Sequence, residues 1–161
     1  MNPRSSGMSP RSSGMSPRSS RDTLDCVVDA SIGIKLFILE TGSEQASLIF
    51  QRLAVNPPAN LYIPDLFYAE CANVLWKYVR QYGYAAEAAR QNLIDLQALA
   101  LQTVPTASLV DRALPLALEY GVTVFDACYL ALAQLAGAPL VTADTALVNR
   151  MQGAEVSVCS L

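Results

Sequence analysis

Four acidic residues in this sequence have positions that could let them act together: Asp29, Glu70, Asp126 and Asp144. The three aspartates follow short, largely apolar runs, and Glu70 lies in a helix predicted directly after the strand 61–63. Because the carboxyl ends of parallel strands meet at one edge of a sheet, we expect all four carboxylates there. Carboxylate oxygens suit Mg²⁺ or Mn²⁺, and such ions can activate water for in-line displacement at a phosphodiester. The four acids therefore indicate metal-assisted phosphodiester hydrolysis.

Helix capping is the alternative interpretation of the aspartates. Asp29, Asp126 and Asp144 each precede a predicted helix. Aspartate is among the best N-cap residues, so capping is the simpler explanation for any one of them alone. Capping does not explain Glu70, which borders the apolar face of its helix, where an ionised carboxylate without a cation is costly. The set of four favours a metal site, although each aspartate can also cap its helix.

The composition excludes several other kinds of site. The chain has no histidine, which excludes Ser-His-Asp and Cys-His catalysis, zinc fingers and HExxH metalloproteases. The four cysteines are widely separated, as expected for reduced, mostly buried thiols. No apolar run approaches the roughly 18 residues of a membrane span, so we expect a cytoplasmic protein without a membrane partner.

The first 22 residues differ from the rest of the chain. Residues 4–17 are two copies of the heptapeptide Arg-Ser-Ser-Gly-Met-Ser-Pro, a composition that cannot bury enough apolar surface to fold. We therefore expect residues 1–22 to be a disordered tail and residues 23–161 to form one domain. Four of the 11 basic residues precede Asp22, so the remainder carries 7 basic and 14 acidic residues. Such an acidic domain is not expected to bind nucleic acid mainly by neutralising phosphates.

One stripe of the longest predicted helix carries Glu70, Asn73, Lys77 and Arg80 at intervals of three, four and three residues. This spacing places a carboxylate, an amide and two cations on one face. A solvated helix surface and a path for an RNA backbone are equally good interpretations of this stripe. Lys35 is predicted to add a cation on the other side of the acids.

Apolar patterns and turn residues predict alternating strands and helices joined by right-handed crossovers. Asp65 is expected to cap the helix 66–82, Asp126 to open the helix that ends at Ala136, and Pro115 to kink or divide the helix 107–120. The predicted strands are 25–29, 61–63, 102–104, 140–142 and 155–159, and the other predicted helices are 32–39, one restarting at 42–43, 85–100 and a short one from 144.

The residues of four segments resemble the motifs of PIN-domain ribonucleases, and in particular those of VapC toxins from bacterial toxin–antitoxin modules. The similarity runs from about residue 26 to residue 159. Its motifs are Val28-Asp29-Ala30-Ser31 with Lys35, Glu70-x-x-Asn73-x-Leu75-Trp76-Lys77, Asp126-Ala127-x-Tyr129-Leu130-Ala131-Leu132-Ala133, and Leu140-Val141-Thr142-Ala143-Asp144.

The resemblance implies a three-layer α/β/α domain with a five-stranded parallel sheet and Mg²⁺- or Mn²⁺-dependent endonucleolytic cleavage of RNA. The four acids would hold the metal and carry catalysis, with Ser31, Asn73 and Thr142 in supporting hydrogen bonds. Lys35, Lys77 and Arg80 would contact the RNA. The resemblance also implies a homodimer and a VapB-type antitoxin whose tail fills the acidic groove.

Other interpretations differ in how well they fit. A haloacid-dehalogenase-like phosphatase would need a second acid at the position of Ser31, and a receiver domain would need a different order of acids. No GxGxxG or P-loop motif is present to bind a nucleotide phosphate. Three alternatives remain open: a housekeeping PIN nuclease in RNA processing, a PIN nuclease that acts on DNA, and a PIN-fold binding module without catalytic activity.

Overall fold

The central strand of the fold is the apolar segment that precedes Asp29. The computed structural model describes residues 24–161, so the predicted tail lies outside the described residues. Five strands form one parallel sheet in the order β3-β2-β1-β4-β5. Cys26, Val27 and Val28 are fully buried, because the central strand is covered on both faces. The strands are β1 (Asp25–Val28), β2 (Asn60–Pro64), β3 (Gln102–Val104), β4 (Leu140–Thr142) and β5 (Val158–Ser160).

Helices cover both faces of this sheet. Right-handed crossovers place the first four helices on one face and the last three on the other, because the chain reverses its direction across the sheet after β3. The predicted three-layer α/β/α fold is confirmed. The helices are α1 (Ala30–Gly33), α2 (Ser43–Gln51), α3 (Leu66–Tyr82), α4 (Ala86–Gln97), α5 (Val110–Tyr120), α6 (Val124–Ala136) and α7 (Thr145–Arg150).

The topology brings the carboxyl ends of β1 and β4 side by side. Val28 is paired with Val141, and the strand order reverses between these two strands. Ligands of open α/β folds bind at such a switch point, outside the carboxyl ends of the strands. Asp29 and Asp144 leave the sheet at this place.

Two helices on opposite faces of the sheet bring the other acids towards the same edge. Every residue of α6 from Ala127 to Ala133 is buried, which explains the almost uniformly apolar sequence of this helix. On the opposite face, α3 buries Phe67 and Cys71. Gly33 of α1 lies against Phe67, and a Cβ added at Gly33 would be only 2.8 Å from Cε2 of that ring. The glycine thus permits the close approach of the helices that carry Asp29 and Glu70.

The structure differs from the predicted boundaries at several places. The predicted helix 32–39 is only the single turn α1 followed by a 3-10 turn, Ile34–Leu36. Pro115 does not divide α5, because its ring removes only the bond to the Asp111 carbonyl in the exposed first turn of that helix. The last strand begins at Val158, three residues later than predicted.

Two predicted caps also need correction. Asp65 occupies the N-cap position of α3, but its side chain does not cap the helix, since its carboxylate accepts hydrogen bonds from the backbone N–H of Thr106 at 2.8 Å and from the Thr106 hydroxyl. The helix assigned to Asp126 begins two residues earlier, at Val124, and its cap is Thr123. A threonine cap with an acid three residues later is a capping box, which places the acid in the first turn.

Among residues 24–161, no single helix has the length and apolar character needed to cross a membrane. Only α5 and α6 taken together have the length and apolar composition of a membrane span, and the two helices are bent by 113° relative to each other.

Candidate active site

Asp29 occupies the first position after the central strand, where both of its carboxylate oxygens accept hydrogen bonds. Oδ1 accepts from the Ser31 hydroxyl at 2.5 Å and from the Ile32 N–H at 3.2 Å. Oδ2 accepts from the Thr142 hydroxyl at 2.5 Å. Burial raises the pKa of Asp29, and the hydrogen bonds from Ser31 and Thr142 oppose that rise. Asp29 therefore caps α1 and is also held in a fixed orientation by two hydroxyls.

The same two hydroxyls connect Asp29 to the end of β4. Thr142 is fully buried, and its Oγ1 accepts the N–H of Asp144 at 3.0 Å while donating to Asp29. The Ser31 hydroxyl accepts the N–H of Ala143 at 2.9 Å. The segments after β1 and β4 are thereby fastened together, so the positions of Asp29 and Asp144 are coupled.

Glu70 projects from α3 towards the other acids. Burial is the main reason for its raised pKa, and the negative charges of Asp29 and Asp126 add to the rise. Tyr129 of α6 donates a hydrogen bond from its hydroxyl to Glu70 Oε2 at 2.5 Å, and this bond opposes the rise in the pKa of Glu70. Tyr129 is buried, and its own pKa is strongly raised by burial and by Glu70.

Asp126 and Asp144 belong to the N-terminal turns of two neighbouring helices. Asp126 Oδ2 accepts from the Thr123 hydroxyl at 2.7 Å, and the backbone N–H of Asp126 donates to Thr123 Oγ1 at 3.1 Å. Asp144 caps α7, with Oδ1 accepting from the N–H groups of Ala146 at 2.8 Å and Leu147 at 3.1 Å. Both acids line one cleft of about 180 Å³.

The four predicted acids thus share one edge of the sheet, but they do not form a closed ligand set. Within the described part of the chain, no group of three or more Asp, Glu, Cys or His side chains could hold a metal ion as arranged. The chemistry of the site nevertheless suits a hard divalent cation. The ion pairs found between residues 24 and 161 are Lys35–Glu40 and Arg90–Glu87, so none of the four acids is in an ion pair, although Arg150 lines the same cleft as Asp126 and Asp144.

The supporting and RNA-contact residues divide into two groups. Ser31 and Thr142 make the supporting hydrogen bonds described above. Asn73, Lys77 and Arg80 are exposed along α3, as the stripe pattern predicts, and Asn73 lines a cavity together with Glu70.

Lys35 has a different environment from the one expected. Its side chain is only 8% exposed, and Nζ donates to Glu40 Oε1 at 2.6 Å and to the Thr41 carbonyl at 2.7 Å. These bonds fasten the 3-10 turn after α1 to the loop before α2. The ammonium is therefore committed to internal partners instead of facing an RNA backbone.

Tyr129 is the neighbour of the acids to which the sequence motifs assigned no role. It stands three residues after Asp126, and its hydroxyl is the only polar side-chain group between Ala127 and Ala133 apart from the Cys128 thiol. A buried tyrosine hydroxyl needs a hydrogen-bond partner, so a tyrosine in this aliphatic run was a usable signal.

Replacement of Glu70 by glutamine is expected to stabilise the metal-free protein at neutral pH. Because the folded state raises the pKa of Glu70 above its ordinary value of 4.5, the folded state binds more protons than the unfolded chain between these two pKa values. The free energy of unfolding contributed by Glu70 therefore falls as the pH rises through this window and stays low above it. In urea unfolding, Glu70→Gln should have a higher free energy of unfolding than the native chain at pH 7, and the difference should disappear near pH 4.

A surface glutamate provides the control for this measurement. Glu87 is exposed and pairs only with Arg90, so Glu87→Gln should change the free energy of unfolding by less than about 1 kcal/mol at either pH. An equal gain for Glu70→Gln at both pH values would show that the charge of Glu70 is not the cause.

Comparison with known proteins gives concordant matches. The PIN domain family matches residues 26–152. Ribonuclease VapC3 from Pyrobaculum aerophilum is 38% identical over 126 residues, which are 77% of this chain and 92% of that protein. The region matched by the PIN domain family, residues 26–152, contains all four acids of the site.

Solved structures have the same fold. The crystal structure of PAE2754 from Pyrobaculum aerophilum is 26% identical, with a TM-score of 0.62 over 84% of this chain and 83% of that one. VapBC2 from Rickettsia felis, solved with a DNA fragment from the promoter, contains a chain that is 12% identical, with a TM-score of 0.59 over 85% of this chain and 98% of that one. The identity of 12% supports only a similarity of fold.

Proposed function

This chain belongs to the PIN domain family, as its motifs predict, and we propose that it is an endoribonuclease that hydrolyses RNA phosphodiester bonds as the toxin of a toxin–antitoxin pair. The observation that carries the proposal is the arrangement of four acids at the switch point of the sheet, in a chain 38% identical to Ribonuclease VapC3. RNA is the substrate that the name of this relative suggests.

The proposal assigns a divalent metal, Mg²⁺ or Mn²⁺, to the four acids. Bound there, the ion would supply charge neutralisation for the phosphodiester and a more acidic water. Asp29, Glu70, Asp126 and Asp144 would hold it through carboxylate oxygens. The raised pKa values of Asp29 and Glu70 support this assignment, because burial is their main cause and a buried carboxylate is costly in its ionised form unless a cation neutralises it.

The remaining residues orient these acids and the substrate. Ser31 and Thr142 hold the two oxygens of Asp29, and Tyr129 holds Glu70. The exposed amide of Asn73 and the cations of Lys77 and Arg80 would follow the RNA backbone away from the acids along α3. Lys35 is left out of the RNA contacts, because its charge is already paired with Glu40.

The proposed partners follow from the resemblance to VapC toxins. They are a VapB-type antitoxin and a second copy of this chain. An acidic groove of this kind is complementary to a basic peptide tail, which is the part of the antitoxin expected to occupy it.

Removal of the metal tests the proposed activity. The full chain, purified free of any partner, is expected to cleave a mixed RNA pool with Mg²⁺ or Mn²⁺ and to stop when a chelator is added in excess. Renewed cleavage on addition of excess metal would show that the chelator had not denatured the protein. RNA that stays intact under all conditions, with no calorimetric signal for metal binding, would favour a binding module whose aspartates serve only as caps.

A further inference from the structure

An exposed aromatic ring stands beside the acids without any role in the proposed chemistry. Phe125 immediately precedes Asp126 in the first turn of α6, and its side chain is 64% exposed. Isolated exposed apolar residues are common on protein surfaces and need no explanation. Phe125 is different because it lines a cavity of about 330 Å³ together with Leu66, Ala69, Glu70 and Asn73.

The lining of this cavity suits a flat, partly polar ring. Leu66, Ala69 and Phe125 supply apolar surface, while the Asn73 amide offers both a donor and an acceptor. Its volume is at the lower end of the range for small-molecule pockets, roughly 300–1,000 Å³, which suits a single ring system. Glu70 belongs both to this cavity and to the group of acids, so the two sites are continuous.

The charge of the domain makes such a pocket useful. From Asp22 onwards the chain has 7 basic and 14 acidic residues, so we do not expect attraction to phosphates to be the main source of RNA affinity. Stacking of a base on an aromatic ring does not depend on that attraction. The ring is also carried by α6, whose residues Ala127 to Ala133 are all buried, so its backbone is held in place.

We propose that Phe125 and Asn73 form a pocket for one unpaired nucleobase next to the bond to be cleaved, with Phe125 stacking on the base and Asn73 contacting its edge. The proposal rests on the proposed function, because it places the base of an RNA whose phosphodiester lies at the acids. It requires an unpaired nucleotide, since a base within a duplex presents no free face for stacking.

A fluorescent base analogue tests this pocket without any need for cleavage. The full chain carrying Asp144→Asn, which keeps the cap of α7 and the whole lining of the cavity, is titrated with a short single-stranded RNA containing 2-aminopurine. Stacking on Phe125 is expected to quench the fluorescence. Phe125→Ala should remove most of the quenching and raise Kd by about 5- to 150-fold, equivalent to roughly 1–3 kcal/mol for one stacked base. Phe125→Tyr should restore both.

Leu118→Ala is the matched control, since Leu118 is an exposed apolar residue on α5 that does not line the cavity. It should leave quenching and Kd unchanged. The proposal would be overturned if Phe125→Ala quenched the probe as strongly as the chain that retains Phe125. It would also be overturned if the chain that retains Phe125 did not quench the probe. A change of oligomeric state on Phe125→Ala with unchanged RNA binding would also overturn it, by assigning the ring to a protein interface.

Failure of this inference and failure of the nuclease proposal give different results. A chain that cleaves RNA equally well with Phe125 or alanine, and with equal KM, retains the proposed function and loses the base pocket. A chain that quenches the probe through Phe125 but cleaves no RNA under any metal condition retains the pocket and loses the nuclease activity.

Discussion

Replacement of Asp126 by asparagine is expected to reduce the rate of RNA cleavage by roughly 10²- to 10³-fold, the effect of losing one group that stabilises charge in a hydrolytic site. The variant removes the negative charge and one ligand oxygen. It keeps an amide oxygen able to accept from the Thr123 hydroxyl, which donates to the native carboxylate at 2.7 Å. The capping box, and with it the start of α6, should therefore survive.

Three measurements separate a catalytic role from a structural one. Cleavage rates with saturating Mn²⁺ give the activity, calorimetric titration with Mn²⁺ gives the metal affinity, and thermal unfolding gives the stability. We expect the first two to fall while the Tm of the metal-free protein stays the same or rises, because one of the like charges near Glu70 is removed.

Asp111→Asn is the matched control for Asp126→Asn. Asp111 is an exposed aspartate in the first turn of α5, so its replacement removes the same charge from the same kind of helix position. Activity should be unaffected. Full activity of Asp126→Asn itself would remove this residue from the catalytic set and leave it as part of a capping box.

The sequence pattern predicted the strands and their parallel pairing, but not the strand order, because a buried strand depends on one local property. Buried parallel strands are continuous apolar runs, and β1, β2 and β4 each contain such a run between turn residues. The short β5 was placed too early, since the segment before it has similar composition but forms turns and bends. Helix α1 was overestimated because Ile32, Leu36 and Leu39 have helical spacing, whereas the chain tightens into a 3-10 turn after Gly33.

The acids could be found from the sequence, but their environment could not. Positions at strand ends identify Asp29 and Asp144, because connectivity alone brings them to one edge. The pairing of Tyr129 with Glu70 and the burial of Lys35 against Glu40 depend on side-chain directions between separate segments. No local pattern encodes those directions. The cavity beneath Phe125 is likewise a property of α3 and α6 packed together, and a single exposed phenylalanine gives no signal for it.

Replacement of Thr142 by valine is expected to reduce cleavage by about 10- to 100-fold, the usual effect of removing a group that orients a metal ligand. The hydroxyl of Thr142 donates to Asp29 Oδ2 at 2.5 Å and accepts the Asp144 N–H at 3.0 Å. Valine has a similar shape but neither function. Asp29 would keep only Ser31 and the Ile32 N–H as donors, and the Asp144 amide would lose its acceptor.

The pH profile shows whether this loss acts through Asp29. The hydrogen bond from Thr142 lowers the pKa of Asp29, so its removal should raise that pKa and make the carboxylate take up a proton at higher pH. Cleavage by Thr142→Val should therefore decline at a higher pH on the acid side than cleavage by the native chain. Thr142→Ser keeps the hydroxyl and should retain both the rate and the profile. If Thr142→Val lost activity equally at every pH and Thr142→Ser lost as much, the result would instead indicate a packing defect at this fully buried position.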